Sequence, residues 1–204
     1  SDISVIEIGG TVGDYQNVMF IEAARVMAAR RKGDVCFVMV TYLPVPGTLG
    51  EMKTKPTQNA IRQLNSYGVQ PDVIIARSVV PIDERRKEKI AISCTVKPEN
   101  VISAPDVKSV YDVPLNFERD NISKVILNEL GLDSTTAVDL SEWEAFAKKA
   151  HNGHQEIKIA VVGKYFDTGD FVLSDAYLSV IEAIKYSAYH QGVKPTLEWI
   201  DSKD

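Results

Sequence analysis

Three short stretches of the chain combine residue types that can hold phosphate groups or a metal ion. The first, IEIGGTVGD, places Glu7 near the end of an apolar run and follows it with Gly9 and Gly10. A carboxylate is a hard oxygen ligand of the kind that Mg²⁺ binds, and glycines let the backbone approach a ligand closely. This stretch fits a magnesium–nucleotide site, and it fits equally well a glycine-rich turn that carries a solvated glutamate.

The second stretch, GEMKTKPTQ, offers charged and neutral hydrogen-bond donors directly before a predicted helix. Ammonium, hydroxyl and amide groups at this place can surround a polyphosphate, and the positive end of the helix dipole adds to the attraction. The alternative is a solvated loop in which Thr57 caps the helix. The residues concerned are Lys53, Thr54, Lys55, Pro56, Thr57 and Gln58.

The third stretch, DERRKEKI, is a run of charges on a helix that the spacing predicts over 83–92. On its own it is typical of a solvent-exposed helix surface. It becomes a candidate for phosphate binding only in the company of the other two stretches.

The elements that must position these stretches alternate between apolar runs and helical periodicity. SVIEI, VCFVMVTYL, DVIIAR and VISA predict strands, and helices are predicted over 18–30, 83–92, 117–130 and the segment TQNAIRQLNSYG. Continuously apolar strands separated by helices indicate an α/β fold, a parallel sheet with helices on both faces. Ligands of such sheets bind at the carboxyl ends of the strands.

A second α/β domain is predicted to begin near residue 157. The stretch LDSTTAVDL interrupts the periodicity, and LSEWEAFAKKAHNGHQE predicts a linker with one helix. KIAVVGKY, a helix over 176–190 and TLEWID then repeat the alternation of strand and helix. A loop over 166–175 has no assigned role. The chain contains no GxxxxGKS or GxxxxGKT phosphate loop, so we expect that element upstream of the sequence given.

Composition restricts the class of protein. A net charge of −5, with 45% hydrophobic and 25% charged residues, is typical of a water-soluble globular protein. Nucleic-acid binding is not expected, because no concentrated basic run occurs. No apolar run reaches the roughly 20 residues that span a bilayer. Cys36 and Cys94 lie among apolar residues, which predicts buried reduced thiols and a cytoplasmic location.

Taken in order, the motifs closely resemble those of the CTP synthase family. The resemblance runs through IEIGGTVGD, FIEAAR, GEMKTKPTQNAIRQL, GVQPDVIIARS and APDVKSVYDVPL, and continues through KIAVVGKY to DAYLSVIEAIKYSA. It covers nearly the whole chain. It implies three regions: the carboxyl-terminal part of a P-loop NTPase-like synthetase (amidoligase) domain over 1–131, an inter-domain linker over 132–156, and the beginning of a glutaminase domain over 157–204.

The resemblance also implies the chemistry. Members of this family are ATP-dependent C–N ligases that aminate UTP to CTP with glutamine-derived ammonia, through a 4-phosphorylated UTP intermediate. Mg²⁺ is the implied cofactor and ATP the co-substrate, CTP inhibits, and the full-length enzyme is a homotetramer whose UTP site is completed across a subunit interface.

Site residues carry over by motif. Glu7 matches the catalytic Mg²⁺-binding glutamate, and the UTP and CTP site takes Asp14, Tyr15, Gln16, Lys89 and the six residues from Lys53 to Gln58. The ATP site takes Arg77, Pro105, Asp106 and Val107. The family commonly has an acid where this chain has Gln16, so we expect weaker CTP inhibition, unless Asn17 supplies the missing contact.

Two other function classes stay open on the sequence. One is a nucleotide-binding or assembly module without turnover, because the phosphate loop and a glutaminase nucleophile are both missing from this sequence. We expect the chain alone to be inactive for that reason. The other, a stand-alone glutamine amidotransferase, is disfavoured because only about the last fifty residues resemble that fold.

Overall fold

The computed structural model describes residues 2–47, 50–133, 137–152, 155–163 and 177–202. The chain divides into two compact units, one of Ser1–Lys108 and Val113–Val138 and the other of Ser109–Asp112 and Asp139–Asp204. The predicted loop over 166–175 lies outside the described residues. Within the described ranges, no helix combines the length and the apolar character needed to span a bilayer.

The first unit is built on a three-stranded sheet with the order β1–β2–β3. Both pairings are parallel and in continuous register, which places Val40 beside Ile75 and Ile75 beside Ile102. The elements in chain order are α1 (Val18–Arg30), β1 (Val38–Tyr42), α2 (Lys55–Ser66), β2 (Val73–Ser78), α3 (Glu84–Cys94), β3 (Val101–Pro105), α4 (Val113–Arg119) and α5 (Ile122–Glu129).

Helices cover both faces of this sheet, which confirms the predicted α/β class. On one face Ile61 of α2 and Ile90 of α3 pack against Ile74 of β2. On the other face Val125 of α5 packs with Ile75 and Ile102. The central strand β2 is therefore buried from both sides, as its unbroken apolar sequence predicts.

The predicted strand SVIEI is wrong. Residues 2–9 have no regular secondary structure, and Val5 and Ile6 are 95% and 72% exposed. A strand exists only when a neighbour accepts its hydrogen bonds, and within the described residues this stretch has no pairing partner. Apolar content alone does not supply that partner.

Strand β1 is only partly buried, although its continuously apolar sequence predicts helices over both of its faces. Val38, Val40 and Tyr42 are between 41% and 57% exposed. These side chains lie on the same face of the sheet as α4 and α5. The two helices cover that face only above β2 and β3, where Phe117, Ile122 and Val125 pack. β1 is the edge strand of the described sheet, so half of its apolar sequence has no covering element.

The single helix predicted over 117–130 is instead two helices, α4 and α5. The chain turns at Asp120 and Asn121, and Asn121 adopts the left-handed conformation with φ +54°. Asparagine tolerates this conformation better than most residues. Asp120 leaves the helical path because its carboxylate accepts the backbone N–H of Ser103 at 2.6 Å.

The second unit contains α6 (Ser141–Asn152), β4 (Gln155–Gly163), α7 (Leu178–His190) and β5 (Val193–Asp201). β4 and β5 form a parallel pair, as the repeated alternation predicts. Tyr111 lies at the centre of an aromatic cluster with Trp143, Phe146, Tyr186 and Tyr189, with ring centroids 5.0 to 6.4 Å away.

Candidate functional site

The carboxyl ends of the three strands of the first unit meet at one edge of the sheet. Leu43 donates its N–H to the carbonyl of Arg77 at 2.8 Å, and Asp106 donates its N–H to the carbonyl of Ser78 at 2.8 Å. The Arg77 guanidinium lies 3.7 Å from the Asp106 carboxylate. This edge therefore brings together Arg77, Pro105 and Asp106, with Val107 next in the chain.

The loop that precedes α2 returns to the same edge. Lys53 donates its N–H to the carbonyl of Pro44 at 2.9 Å, directly after β1. Met52, in the same loop, is buried in the hydrophobic core and so holds the loop against the sheet. The Lys53 ammonium lies 2.6 Å from the Glu51 carboxylate, and both side chains remain partly exposed.

Helix α3 adds two more cations to this loop. The hydrogen bond from Lys53 lowers the pKa of the Glu51 carboxyl, and the charges of Arg86 and Lys89 lower it further. Arg86 and Lys89 are three residues apart and so share one face of α3. We call Lys53, Arg86 and Lys89 the cationic cluster; within it, Lys53 pairs with Glu51, and Arg86 pairs with Asp83 at the start of α3.

The start of α2 completes the edge, with its hydroxyl groups turned inward. Thr54 is buried and accepts a hydrogen bond from the Gln58 amide at 3.3 Å. Thr57 is 1% exposed, and its hydroxyl lies 3.2 Å from that of Thr41 and 3.3 Å from the carbonyl of Tyr42. Thr57 thus fixes the helix to β1, whereas the hydroxyl of Thr54 bonds within α2. Lys55 is exposed, and Pro56 lies in the first turn, where its missing N–H breaks no helical bond.

The VGD motif forms a separate turn. Thr11 donates its N–H to the Asp14 carboxylate at 2.8 Å, and Asp14 returns its N–H to the carbonyl of Thr11 at 2.9 Å. Tyr15 and Gln16 are exposed. Asn17 is 3% exposed and donates its amide to the carbonyl of Thr11 at 2.6 Å. The amide nitrogen of Asn17 is thus used inside the turn.

This turn lies at the far end of α2 from the cationic cluster. Val12 packs against the buried cluster that includes Leu64, and Gly13 lies directly against the side chain of Gln63. Between Lys55 and Gln63 the helix axis advances roughly 12 Å. Within one chain, the structure therefore does not bring Asp14 to Lys53.

Glu7 is exposed within the irregular segment at residues 2–9. No group of three or more His, Cys, Asp or Glu side chains forms among the described residues, so Glu7 belongs to none. Mg²⁺ is often held by one or two carboxylates together with substrate phosphates. A single accessible carboxylate fits that mode of binding.

A shallow cavity of about 420 Å³ opens at the opposite, amino-terminal edge of the sheet. Its polar side chains are already paired, because Asn100 donates to Glu129 at 2.8 Å and Lys97 lies 3.3 Å from the same carboxylate. These contacts join α5 to the residues before β3, which is a structural role.

Neither cysteine is suited to nucleophilic chemistry. Both are free; Cys94 is buried as predicted, whereas Cys36 is only partly buried. Burial raises the pKa of the Cys36 thiol to about 11, and the negative charges of Asp72 and Glu129 add to the shift. The reactive species of a cysteine is the thiolate, so a thiol held protonated at neutral pH is a poor nucleophile.

The sequence suggests Lys53 and Lys89 as candidates for this site, but it does not suggest Arg86 or Glu51. Arg86 stands in a run of charges with no feature that separates it from a solvated surface residue. Its spacing of three from Lys89 was the available signal, but that spacing gains meaning only once the loop before α2 is known to face α3.

Comparison with known proteins agrees with these motifs. Residues 1–132 match the family model that describes the N-terminus of CTP synthase. The CTP synthases of Symbiobacterium thermophilum, Sulfolobus acidocaldarius and Pyrococcus abyssi are 43%, 44% and 44% identical to the chain over its whole length. In each case the chain spans 37% of the relative's own length. The chain belongs to the CTP synthase family.

Proposed function

We propose that this chain supplies the UTP triphosphate contacts of a CTP synthase, in the ATP-dependent amination of UTP to CTP with glutamine-derived ammonia. The observation that carries the proposal is the return of Lys53 to the carboxyl-terminal edge of the sheet, directly before α2, where its ammonium pairs with the exposed Glu51 carboxylate at 2.6 Å. Cations from two elements that meet beside a helix N-terminus suit a polyanion. Lys53 is paired with Glu51, and Arg86 is paired with Asp83 at the start of α3.

On this proposal the triphosphate displaces Glu51 from Lys53. The N–H groups of the first turn of α2 then face the triphosphate, and the helix dipole adds to the attraction of the lysine and arginine charges. Pro56 has no N–H and contributes none. Thr54 and Thr57 hold the helix start in place through the inward contacts described above, and Lys55 and Gln58 border the same helix end.

The ATP side of the proposal rests on the neighbouring strands. Arg77 and Asp106 face each other across the ends of β2 and β3, with Pro105 and Val107 beside them, and these four residues would hold the adenine end of ATP. Glu7 would bind Mg²⁺ through its carboxylate. The bound ion would offset negative charge that develops during phosphoryl transfer.

We further propose that the VGD turn serves the UTP site of a neighbouring subunit in a homo-oligomer. Two features support this. The turn lies at the opposite end of α2 from the cationic cluster, and Tyr15, Met19 and Phe20 beside it are 95%, 81% and 65% exposed. Exposed apolar side chains grouped in this way are typical of a protein interface. Met19 and Phe20 are accordingly not core residues, whereas Ile21 is.

The proposal is tested by titrating the ¹⁵N-labelled chain with UTP and following amide resonances by NMR. We expect shifts at Lys53, Gln58 and Lys89. Lys53→Ala should weaken UTP binding roughly ten- to a hundredfold, because it removes a charge-assisted phosphate contact.

The matched control is Lys97→Ala, an exposed lysine at the other edge of the sheet, which should leave UTP binding unchanged. Equal affinities of Lys53→Ala and the wild type would contradict the proposal.

To test turnover, the chain replaces the corresponding segment of the Symbiobacterium relative, and CTP formation is measured. Binding without CTP formation would favour the module without turnover.

A further inference from the structure

Lys87 occupies a position in α3 where an apolar residue is expected. It begins the stripe that continues with Ile90, Ala91 and Cys94, all of which are buried. The side chain of Lys87 is only 10% exposed. A buried ammonium group is costly unless a partner compensates its lost hydration.

Asp120 is that partner, and it also binds the sheet. One carboxylate oxygen lies 2.7 Å from the Lys87 ammonium, and the other accepts the N–H of Ser103 at 2.6 Å. β3 is the outer strand of the described sheet and pairs only with β2. The N–H of Ser103 points away from β2 and is therefore free to bind Asp120. The Ser103 hydroxyl in turn accepts the N–H of Ile82, just before α3, at 3.1 Å.

We propose that the Lys87–Asp120 pair is a positioning device for the proposed nucleotide site. It fixes α3 relative to β3 and so sets where Arg86 and Lys89 stand at the carboxyl-terminal edge. Lys87 itself faces away from the site, since Lys89 is exposed while Lys87 is buried. The inference rests on the proposed function.

A buried ion pair is a poor source of stability, because apolar residues of similar volume often stabilise as well or better. An ion pair, unlike an apolar contact, fixes the position of one particular atom relative to another. Here the pair spans α3 and the turn between α4 and α5, and Asp120 extends the tether to β3 two residues before Pro105.

The decisive variant is Lys87→Met/Asp120→Asn in the 204-residue chain. It leaves no unpaired buried charge, and the asparagine oxygen still accepts the N–H of Ser103, so only the tether to α3 is lost. We expect UTP to bind roughly three- to thirtyfold more weakly, a range typical of residues that act through a contact network. Lys87→Arg is a separate variant that keeps a positive charge opposite Asp120. We expect it to bind UTP within about twofold of the wild-type affinity.

The matched control is Lys97→Met, which breaks an ion pair to α5 at the other edge of the sheet and should not change UTP affinity. Thermal unfolding is recorded for every variant. Wild-type UTP affinity in the double variant, with or without a lower unfolding temperature, would overturn the inference and leave the proposed function intact. If the wild-type chain binds no UTP, the proposed function fails first.

Discussion

At the scale of single residues, Glu51 decides how the cationic cluster behaves without a nucleotide. It pairs with Lys53 at 2.6 Å, and its pKa is lowered by that hydrogen bond and by the surrounding positive charges. A lowered carboxyl pKa keeps Glu51 ionised at neutral pH. A phosphate group must therefore compete with a carboxylate that is already in place.

Neutralising Glu51 should strengthen UTP binding. In Glu51→Gln the competing charge is lost while the size of the side chain is kept, and we expect UTP to bind roughly two- to fivefold more tightly, as suits one exposed pair. NMR titration at low ionic strength measures the change. Glu99→Gln, an exposed acid at the other edge of the sheet, is the control. Weaker binding in Glu51→Gln would mean that the carboxylate assists the nucleotide, for example through Mg²⁺.

Residue types revealed part of this site from the sequence alone. Lys53 and Lys89 stand in motifs whose composition already points to phosphate. The burial of Thr54 and Thr57 could not be predicted from the sequence. A threonine at a helix start can offer its hydroxyl either to a ligand or to a neighbouring part of the fold. That choice depends on β1, which comes from a different part of the chain.

At the scale of elements, periodicity predicted what is locally determined. Helix α1 has the predicted bounds, and α2 ends where Gly68 permits a left-handed turn with φ +77°. The failures all depend on a partner element. Among the residues that the structure describes, SVIEI has no strand to pair with and one face of β1 has no covering helix. Asp120 interrupts a helical pattern because it binds Ser103 and Lys87.

The VGD turn contains a glycine that its conformation requires. Gly13 has φ +99°, and a Cβ atom there would lie 1.9 Å from the Gln63 amide nitrogen. The amide is the flexible end of a side chain and can move away, so the lasting cost is in the backbone. Gly13→Ala should lower the free energy of unfolding by about 1–3 kcal/mol.

Urea denaturation measures this cost. Gly9→Ala is the matched control, because Gly9 is not in the left-handed conformation and a Cβ atom added there would have no neighbouring atom within 4 Å. This control should change stability by less than about 0.5 kcal/mol. The double variant Gly13→Ala/Gln63→Ala should stay close to Gly13→Ala. Full recovery in the double variant would assign the cost to the contact with Gln63 instead.

At the scale of the whole molecule, the two motifs that we propose for pyrimidine-nucleotide binding, the VGD turn and the segment around Lys53, lie at opposite ends of α2. Sequence order does not show this separation, although the family resemblance implies a UTP site that is completed across a subunit interface. The separation follows from the packing of Val12 and Gly13 against the end of α2, while Lys53 precedes its beginning. A UTP site that uses both motifs therefore needs two chains.

Mixing variants tests that arrangement. Asp14→Asn keeps the oxygen that accepts the N–H of Thr11 but removes the charge, and Lys53→Ala damages the cationic cluster. Each variant alone should bind UTP weakly. A dimer with one chain of each kind contains one site damaged twice and one site intact, so an equal mixture should recover about one quarter of the wild-type sites.

The control mixture is Lys53→Ala with Lys89→Ala. Both changes lie in the same cluster, so every site of a mixed dimer keeps one damaged cluster, and binding should not recover. Equilibrium dialysis with UTP counts the high-affinity sites in each mixture after subunit exchange. If the Asp14→Asn and Lys53→Ala mixture also recovers no sites, then the two motifs do not share a ligand across subunits, and Asp14 acts only through the turn that it holds with Thr11.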